Sequence, residues 1–311
     1  MSFSQSPIPN PQSRQVNGIV LLDKPPGISS NRALQQVKRL FGAKKAGHTG
    51  SLDPLATGML PVCLGEATKI AGLLLGSHKA YRAEAQLGVS TASGDAEGEV
   101  TARKPVPQLD RAAVEQAMAA FRGRIRQVPP VYSALKKDGV PLYKRARRGE
   151  EVSAPPREVE IFAFDLLQLE GDRLRVSVEC GSGTYIRSLL SDLGDALGCG
   201  AHVTALRRTW VNPFGEGSSM HPLDQLEARK ASGEAALQEC LLPVDAGLTH
   251  LPAVRLDEAD SLAMAQGKAV ARAAPGLCRV YADDGRLLAL AEPDAKGSLR
   301  VRRGFNLAPD R

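Results

Sequence analysis

The sequence predicts a fold that mixes helices and strands in one large body and ends in a small β module. Three stretches carry that expectation. "LDRAAVEQAMAAFRG" (109–123) repeats its apolar residues at helical spacing, and "KAYRAEAQLGV" (79–89) alternates with a period of two. Beyond Leu248 the chain turns to three short strands with Asp-Gly and Lys-Gly turns, about 60 residues in all. At 311 residues, one large or two unequal domains are expected.

Taken in order, residues 1–16 are rich in Ser, Pro and Gln, lack the apolar core of a signal peptide, and read as a disordered lead-in. "GIVLLDKPPG" (18–27) is a buried strand closed by a Pro-Pro-Gly turn, and Ser29 or Ser30 caps a helix with Leu34, Val37 and Phe41 on one face. "AGHTGSLDPLATGML" (46–60) follows no period: Gly47, Gly50, Pro54 and Gly58 interrupt every helical turn, and its apolar residues do not alternate. It is read as a shaped loop, the kind of segment on which sites are built. A short helix is expected over 65–77, then the 79–89 strand with Tyr81 and Arg82 on opposite faces, the 109–123 helix, and a hairpin over 157–181 turning at Glu170-Gly171-Asp172. "TYIRSLLSDLGDAL" starts a helix directly after "GSG", 201–211 is a strand, and 222–242 is helical and acidic.

Composition narrows the function. No apolar run approaches the ~18 residues of a membrane span, and "IAGLLLG" (70–76) falls far short. The five cysteines (63, 180, 199, 240, 278) form no C-x-x-C pair, which fits reduced thiols in a cytoplasmic protein and argues against a disulfide frame or a zinc site. Net charge is +6, yet residues 122–148 hold nine Lys/Arg against Asp138 alone, a local +8, leaving −2 for the remainder. A basic, Pro- and Gly-broken segment with Tyr132 and Tyr143 interleaved has the footprint of a nucleic-acid contact rather than of a solvated helix.

Three polar sets stand apart from these elements: His48 to Asp53, "KAYR" at 79–82, and "GSGTYIRSLLSDLG" (181–194) with Tyr185 and Arg187. Each alone has a plain structural reading as turn, cap or packing. Their wording and order, "GHTGSLDPLATGMLPVCLGEATK", "KAYRA", "YSALKKDGVPLYKRARRGEEV", "GTYIRSLLSDLG" and "GCGAHVTALRRT", resemble the TruB family of bacterial tRNA pseudouridine synthases, which isomerise uridine 55 of the T loop. The similarity runs from about residue 18 to the C-terminus.

The resemblance implies an α/β fold of the α+β type: a pseudouridine synthase fold with a mixed, mainly antiparallel sheet flanked by helices, over 17–248, and a PUA-like RNA-binding module over 249–311. It implies Asp53 as nucleophile, Arg187 as its partner and Tyr81 as the residue that stacks on the uracil and takes its C5 proton. A carboxylate, with an ordinary pKa near 3.9, is ionised at neutral pH and needs no metal to activate it. The guanidinium fork orients such a carboxylate and keeps it charged. By the same resemblance His48 fills the space left by a flipped base, Tyr185 and Leu206 wall the pocket, Lys24 and Lys69 lie near the RNA backbone, and 129–152, with Arg145, Arg147 and Arg148, clamps the T arm of tRNA. No cofactor, no metal, no obligatory protein partner and a monomer are implied. One departure occurs: the family often reads Thr-Asp-Thr-x-Asp where this chain has "TASGD" (91–95), keeping Asp95 but placing Ala92 where an Asp is usual, and the effect is expected outside the active centre.

Three rival functions draw on the same residues. A guide-RNA-dependent, Cbf-type or dyskerin-like synthase shares the loop chemistry but works within a multiprotein particle, and the 129–152 insertion argues against it. A non-catalytic RNA chaperone would need the basic face but not Asp53, Tyr81 and Arg187. A metal-dependent hydrolase would need a coordination shell that no H-x-x-x-H or carboxylate cluster supplies. The basic segment yields the first test: neutralising Arg145, Arg147 and Arg148 together weakens tRNA binding and flattens the log-log salt dependence by about 0.7 to 0.9 per lost phosphate contact. An unchanged slope would place these side chains against solvent or protein.

Overall fold

The computed structural model describes residues 16–74, 78–133, 135–137, 139–142, 145, 148, 150, 152 and 154–307. Tyr143, Arg147 and nearly all of the expected lead-in fall outside them. The first half runs β1 (Gly18–Lys24), α1 (Ser30–Leu40), β2 (Ala46–His48), β3 (Thr57–Leu64), a 3-10 turn (Gly65–Lys69), β4 (Lys79–Leu87), β5 (Val89–Thr91), β6 (Val100–Arg103), α2 (Arg111–Ala119) and β7 (Gly123–Gln127). There follow β8 (Lys136–Lys137), β9 (Val140–Pro141), β10 (Arg157–Glu170), β11 (Arg173–Cys180), α3 (Ile186–Ala196), β12 (Ala201–Val211), β13 (His221–Pro222), α4 (Leu223–Ala231) and α5 (Glu234–Gln238). After a second 3-10 turn (Val244–Leu248), the module holds β14 (Ala253–Arg255), α6 (Glu258–Ala265), β15 (Cys278–Tyr281), β16 (Leu287–Pro293) and β17 (Leu299–Gly304).

Nine strands form the main sheet in the order β13-β1-β3-β12-β4-β11-β10-β7, with β2 on β3. Only β13 on β1 and β12 on β3 run parallel, so the sheet is mixed and mainly antiparallel. On one face α1, α2 and α3 bury Leu34, Val37, Val114, Met118, Leu189 and Leu193 against Val20, Leu22, Ala83 and Val176. Behind β1 and β3, Ile19, Leu21, Met59 and Cys63 are covered by Ile70, Leu74, Val244 and Leu248, and by Leu287 and Leu290 of the module. This two-sided cover explains why "GIVLL" is continuously apolar, whereas β4, uncovered on its second face, alternates buried Tyr81 with exposed Arg82.

Local chemistry sets the ends. The Ser29 hydroxyl accepts from Arg32 N at 3.2 Å and the Asp110 carboxylate from Ala113 N at 2.8 Å, capping α1 and α2. Two expectations are corrected. The 46–60 stretch is loop only over 49–56, because Ala46–His48 and Thr57–Leu64 join the sheet. There Gly58 has φ +96° and passes so close to β12 that a Cβ would lie 2.2 Å from the Arg208 carbonyl oxygen, which explains a glycine inside a central strand. The module carries four strands and a helix rather than three strands: β14 pairs parallel with β15, a crossover that a chain of turns does not announce.

No helix among the described residues is long and apolar enough to cross a membrane. The module is tied to the main sheet by polar contacts as well as apolar ones. Lys69 Nζ donates to Glu66 at 2.6 Å and to the Gly304 carbonyl at 2.8 Å, Asn306 N donates to Glu66 at 2.7 Å, and the Tyr281 hydroxyl donates to Asp245 at 2.6 Å. Lys69 is therefore part of this clamp.

Candidate active site

The loop 49–56 is fixed by its flanks. Leu52 N donates to the Ser30 hydroxyl at 2.7 Å, that hydroxyl donates to the Leu52 carbonyl at 3.0 Å, and Gly27 N donates to the Pro54 carbonyl at 2.9 Å. Lys24, at the end of β1, is 0% exposed, and its ammonium donates to the carbonyls of Pro25, Ile28 and Pro54 at 2.7, 2.8 and 3.3 Å. Its charge is turned inward, and it ties the segment before α1 to the residue after Asp53.

Asp53 meets α3 at the centre of the site. The Arg187 Nε stands 2.9 Å from Asp53 Oδ2, an ion pair whose N–H is not aligned for a hydrogen bond. The Arg187 side chain is 3% exposed, while Asp53 keeps 36% of its own exposed, so the carboxylate opens to solvent on one side and rests on a buried cation on the other. The guanidinium continues to Asp95 at 3.4 Å and donates to the carbonyls of Ser93 at 2.7 Å and Tyr132 at 2.8 Å. Enclosure raises the Asp53 pKa above 3.8; Arg187 opposes that rise most strongly, Asp95 adds to it and Lys24 reduces it.

Asp95 corrects the reading of "TASGD". The segment reaches into the candidate site: buried Asp95 accepts from Ser93 Oγ at 2.5 Å and from Glu97 N at 3.1 Å, and shares Arg187 with Asp53. Ala92 is exposed and joins only through its backbone, so the departure from the family pattern sits on the solvent side.

Tyr185 caps the start of α3, fixed by Gln127, which accepts from Tyr185 N at 2.8 Å and donates to its carbonyl at 3.0 Å; the Arg157 guanidinium covers the ring at 4.9 Å. Tyr81 is 8% exposed, its ring packed in the core beneath the helices. Burial raises its pKa, and Arg208 works against that rise. His48 ends β2 with a buried Nδ1 that has no partner; burial and then the Arg208 charge lower its pKa, so the ring is neutral at pH 7. Leu206 lines a cleft of about 830 Å³ together with Leu55, Thr57, Arg82, Arg175 and Arg207. In the basic segment, Arg145 pairs with Glu150 at 2.6 Å and Arg148 is exposed. Sequence reasoning missed Asp95, Gln127, Arg157 and Arg208. The Asp95 signal was present, in an Asp kept within a Gly-rich turn, but the others occupy ordinary strand positions.

The Lys24 cage has a measurable consequence. Burial lowers the ammonium pKa from 10.5 to about 8, with Asp53 opposing. Below pH 8 both folded and unfolded chains hold the proton; between about 8 and 10.5 only the unfolded chain does, so this residue makes stability rise with pH by about 1.4 kcal/mol per unit. Lys24→Met lacks that rise. Urea denaturation of both proteins should show the parent's advantage widening from pH 8 to 10 by roughly 1 kcal/mol per unit; a pH-independent gap contradicts the cage.

The comparisons with known proteins follow the same geography. Residues 38–186 match the TruB family pseudouridylate synthase (N terminal domain), 187–249 the tRNA pseudouridylate synthase B C-terminal domain, and 252–305 the pseudouridine synthase II TruB, C-terminal region. The chain is similar to tRNA pseudouridine synthase B of Xanthomonas axonopodis pv. citri (strain 306), 52% identical over 94% of this chain and 95% of the relative. It is likewise similar to tRNA pseudouridine synthase B of Xylella fastidiosa (strain Temecula1 / ATCC 700964), 53% identical over 94% and 97%. Among solved structures, a Cbf5-Nop10-Gar1 complex contains a chain 27% identical with a TM-score of 0.70, covering 93% of this chain and 85% of that one. An H/ACA RNP bound to a substrate RNA containing 2′-deoxyuridine gives 26% and 0.70 over the same shares. The pairing of Asp53 with Arg187, carried on a sheet of this topology, thus stands in a chain that belongs to the TruB family of pseudouridylate synthases.

Proposed function

We propose that this enzyme isomerises uridine 55 in the T loop of tRNA to pseudouridine, with Asp53 as nucleophile and without a cofactor. The observation that carries the reading is the ion pair at 2.9 Å between buried Arg187 and half-open Asp53. A carboxylate so placed is enclosed enough to escape full hydration and stays charged because the cation beneath it is fixed.

The reaction breaks the N1–C1′ bond, turns the freed base and joins C5 to C1′; a proton then leaves C5 and one is gained at N1. Asp53 is the nucleophile that carries the sugar through this exchange, and Arg187 holds it charged and aimed. Such a base lies stacked inside folded RNA and has to be flipped out to be reached. The flat, neutral imidazole of His48 suits the space it leaves, Leu206 and Tyr185 suit the pocket wall, and the Tyr81 oxygen takes the C5 proton. The T arm is gripped by 129–152 with Arg145, Arg147 and Arg148, and residues 249–311 act as a PUA-like RNA-binding module beside a catalytic domain of 17–248. Relatives named tRNA pseudouridine synthase B, similar over nearly their whole length, favour free tRNA over a guide-RNA particle as the substrate. The enzyme is read as a cytoplasmic monomer that needs no protein partner.

Asp53→Asn keeps the shape of the side chain and removes the nucleophile. Tritium release from C5-labelled tRNA is expected to vanish while tRNA affinity stays within about threefold of the parent; turnover within tenfold of the parent would remove Asp53 from the chemistry. Tyr81→Phe separates ring from hydroxyl. Affinity should survive, a C5-linked adduct should accumulate in single turnover, and little tritium should appear. Normal release from this variant means that the proton goes elsewhere.

A further inference from the structure

Arg208 is the largest fully enclosed side chain among the described residues, 1% exposed in the middle of β12. Its Nε donates to the Met59 carbonyl at 2.7 Å and its Nη2 to the Gly50 carbonyl at 3.3 Å. Among the described residues no carboxylate oxygen comes within 4.0 Å of it. A guanidinium buried against neutral dipoles alone is costly to maintain, and a hydrophobic residue would pack the same space more favourably. The expense is intelligible if the charge itself acts on a neighbour.

The neighbour is Tyr81. Arg208 and Tyr81 are directly opposed partners in the antiparallel β12–β4 pair, so their side chains leave the sheet on the same face. The close passage of β3 at Gly58 fixes the Arg208 backbone from the other side. From that register the guanidinium bears on the phenol by its charge, working against the rise that burial gives the Tyr81 pKa.

We propose that Arg208 is a positioning residue of the isomerisation: it holds the Tyr81 oxygen in place and supplies the fixed positive charge beside which that oxygen passes through the phenolate. The inference rests on the reading that Tyr81 takes the C5 proton. The step balances within the base and the phenol. Tyr81 gives its proton to N1, directly or through water; the C5–H bond breaks, its electron pair completes the ring double bond, and the C5 proton goes to the phenolate, restoring the phenol. One proton has moved from C5 to N1, and no oxidant or reductant is required. The other titratable groups around the pair are Asp53 from the loop and Cys180 from β11 beside Tyr81, with Lys24 of β1, His48 of β2 and Lys79 of β4 beside Arg208. Asp53 opposes the phenolate, so Arg208 is the charge that favours it.

The test measures adduct formation and tritium release separately, in single turnover on C5-labelled tRNA from pH 6 to 9.5, for the parent, Arg208→Gln, Arg208→Lys and Tyr81→Phe. Arg208→Gln should form the C5-linked adduct at close to the parental rate and release tritium at least about 100-fold more slowly, the late step accelerating about tenfold per pH unit as solvent hydroxide deprotonates a phenol no longer favoured as phenolate by the guanidinium. Arg208→Lys keeps the charge and loses the fork, so it should follow the parental pH profile at a lower plateau. The proposal is overturned if Arg208→Gln slows both steps equally, or if its pH profile runs parallel to the parent's. Should Arg208→Gln fail to fold, Arg208→Lys decides: selective slowing of release supports the proposal, and equal slowing of both steps refutes it. Normal tritium release by Tyr81→Phe would overturn the reading of Tyr81 itself, whereas a stalled Tyr81→Phe beside a parental Arg208→Gln overturns Arg208 alone.

Discussion

The site depends on one buried cation set between two carboxylates. Arg187 leaves α3 in a direction that gives Asp53 its Nε, Asp95 its Nη1, and the carbonyls of Ser93 and Tyr132 the remaining N–H bonds. Removing any one of these groups leaves either a buried charge short of partners or a loop without its anchor. Four segments distant in the chain, the 49–56 loop, the turn at 91–95, the start of the basic insertion and α3, are thereby held to one point. Asp95 neutralises part of the guanidinium charge and leaves it able to pair with a carboxylate that still faces the opening.

The same device recurs around that loop. Lys24 and Arg208 are both fully enclosed, and both give their N–H bonds to backbone carbonyls of segments without regular structure or at a strand entry: Pro25, Ile28 and Pro54 for Lys24, Gly50 and Met59 for Arg208. A loop of eight residues cannot satisfy its own carbonyls as a helix or sheet would. Long cationic side chains reach them from the neighbouring strands, which explains how a Gly-rich segment holds Asp53 in a fixed place. Arg208 also lowers the pKa of His48 and opposes the rise at Tyr81, and Lys24 opposes the rise at Asp53, so the scaffold of the loop and the electrostatics of the site share these residues.

Much of this was legible in the sequence, and the part that was not has physical causes. Period-two alternation placed β4, the Glu170-Gly171-Asp172 turn placed β10 and β11, and helical spacing placed α1, with a serine cap, and α2. The resemblance to the TruB family, carried by the loop and by "GTYIRS", pointed to Asp53 and Arg187. The contacts that Lys24 and Lys69 make, a cage of carbonyls and a Glu66–Gly304 clamp, are visible only once the chain has folded. Arg208 sits in "LRRT" beside Arg207, which makes a bidentate surface pair with Asp23 at 2.9 and 2.8 Å. Adjacent arginines on a strand point to opposite faces, and sequence alone does not say which one is buried. The parallel pairing of β12 with β3, which brings Gly58 under Arg208, joins segments some 150 residues apart and leaves no local trace.

The central claim is that Arg187 holds Asp53 ionised within an enclosure that would otherwise favour its neutral form. It is tested most directly by following the carboxyl carbon of Asp53 through a pH titration by NMR, with the resonance assigned by its loss in Asp53→Asn, in the parent and in Arg187→Gln. The account predicts a midpoint above 3.8 in the parent, with the carboxylate still ionised at neutral pH, and a clearly higher midpoint once the guanidinium is gone. A midpoint that does not move when Arg187 is replaced would contradict it.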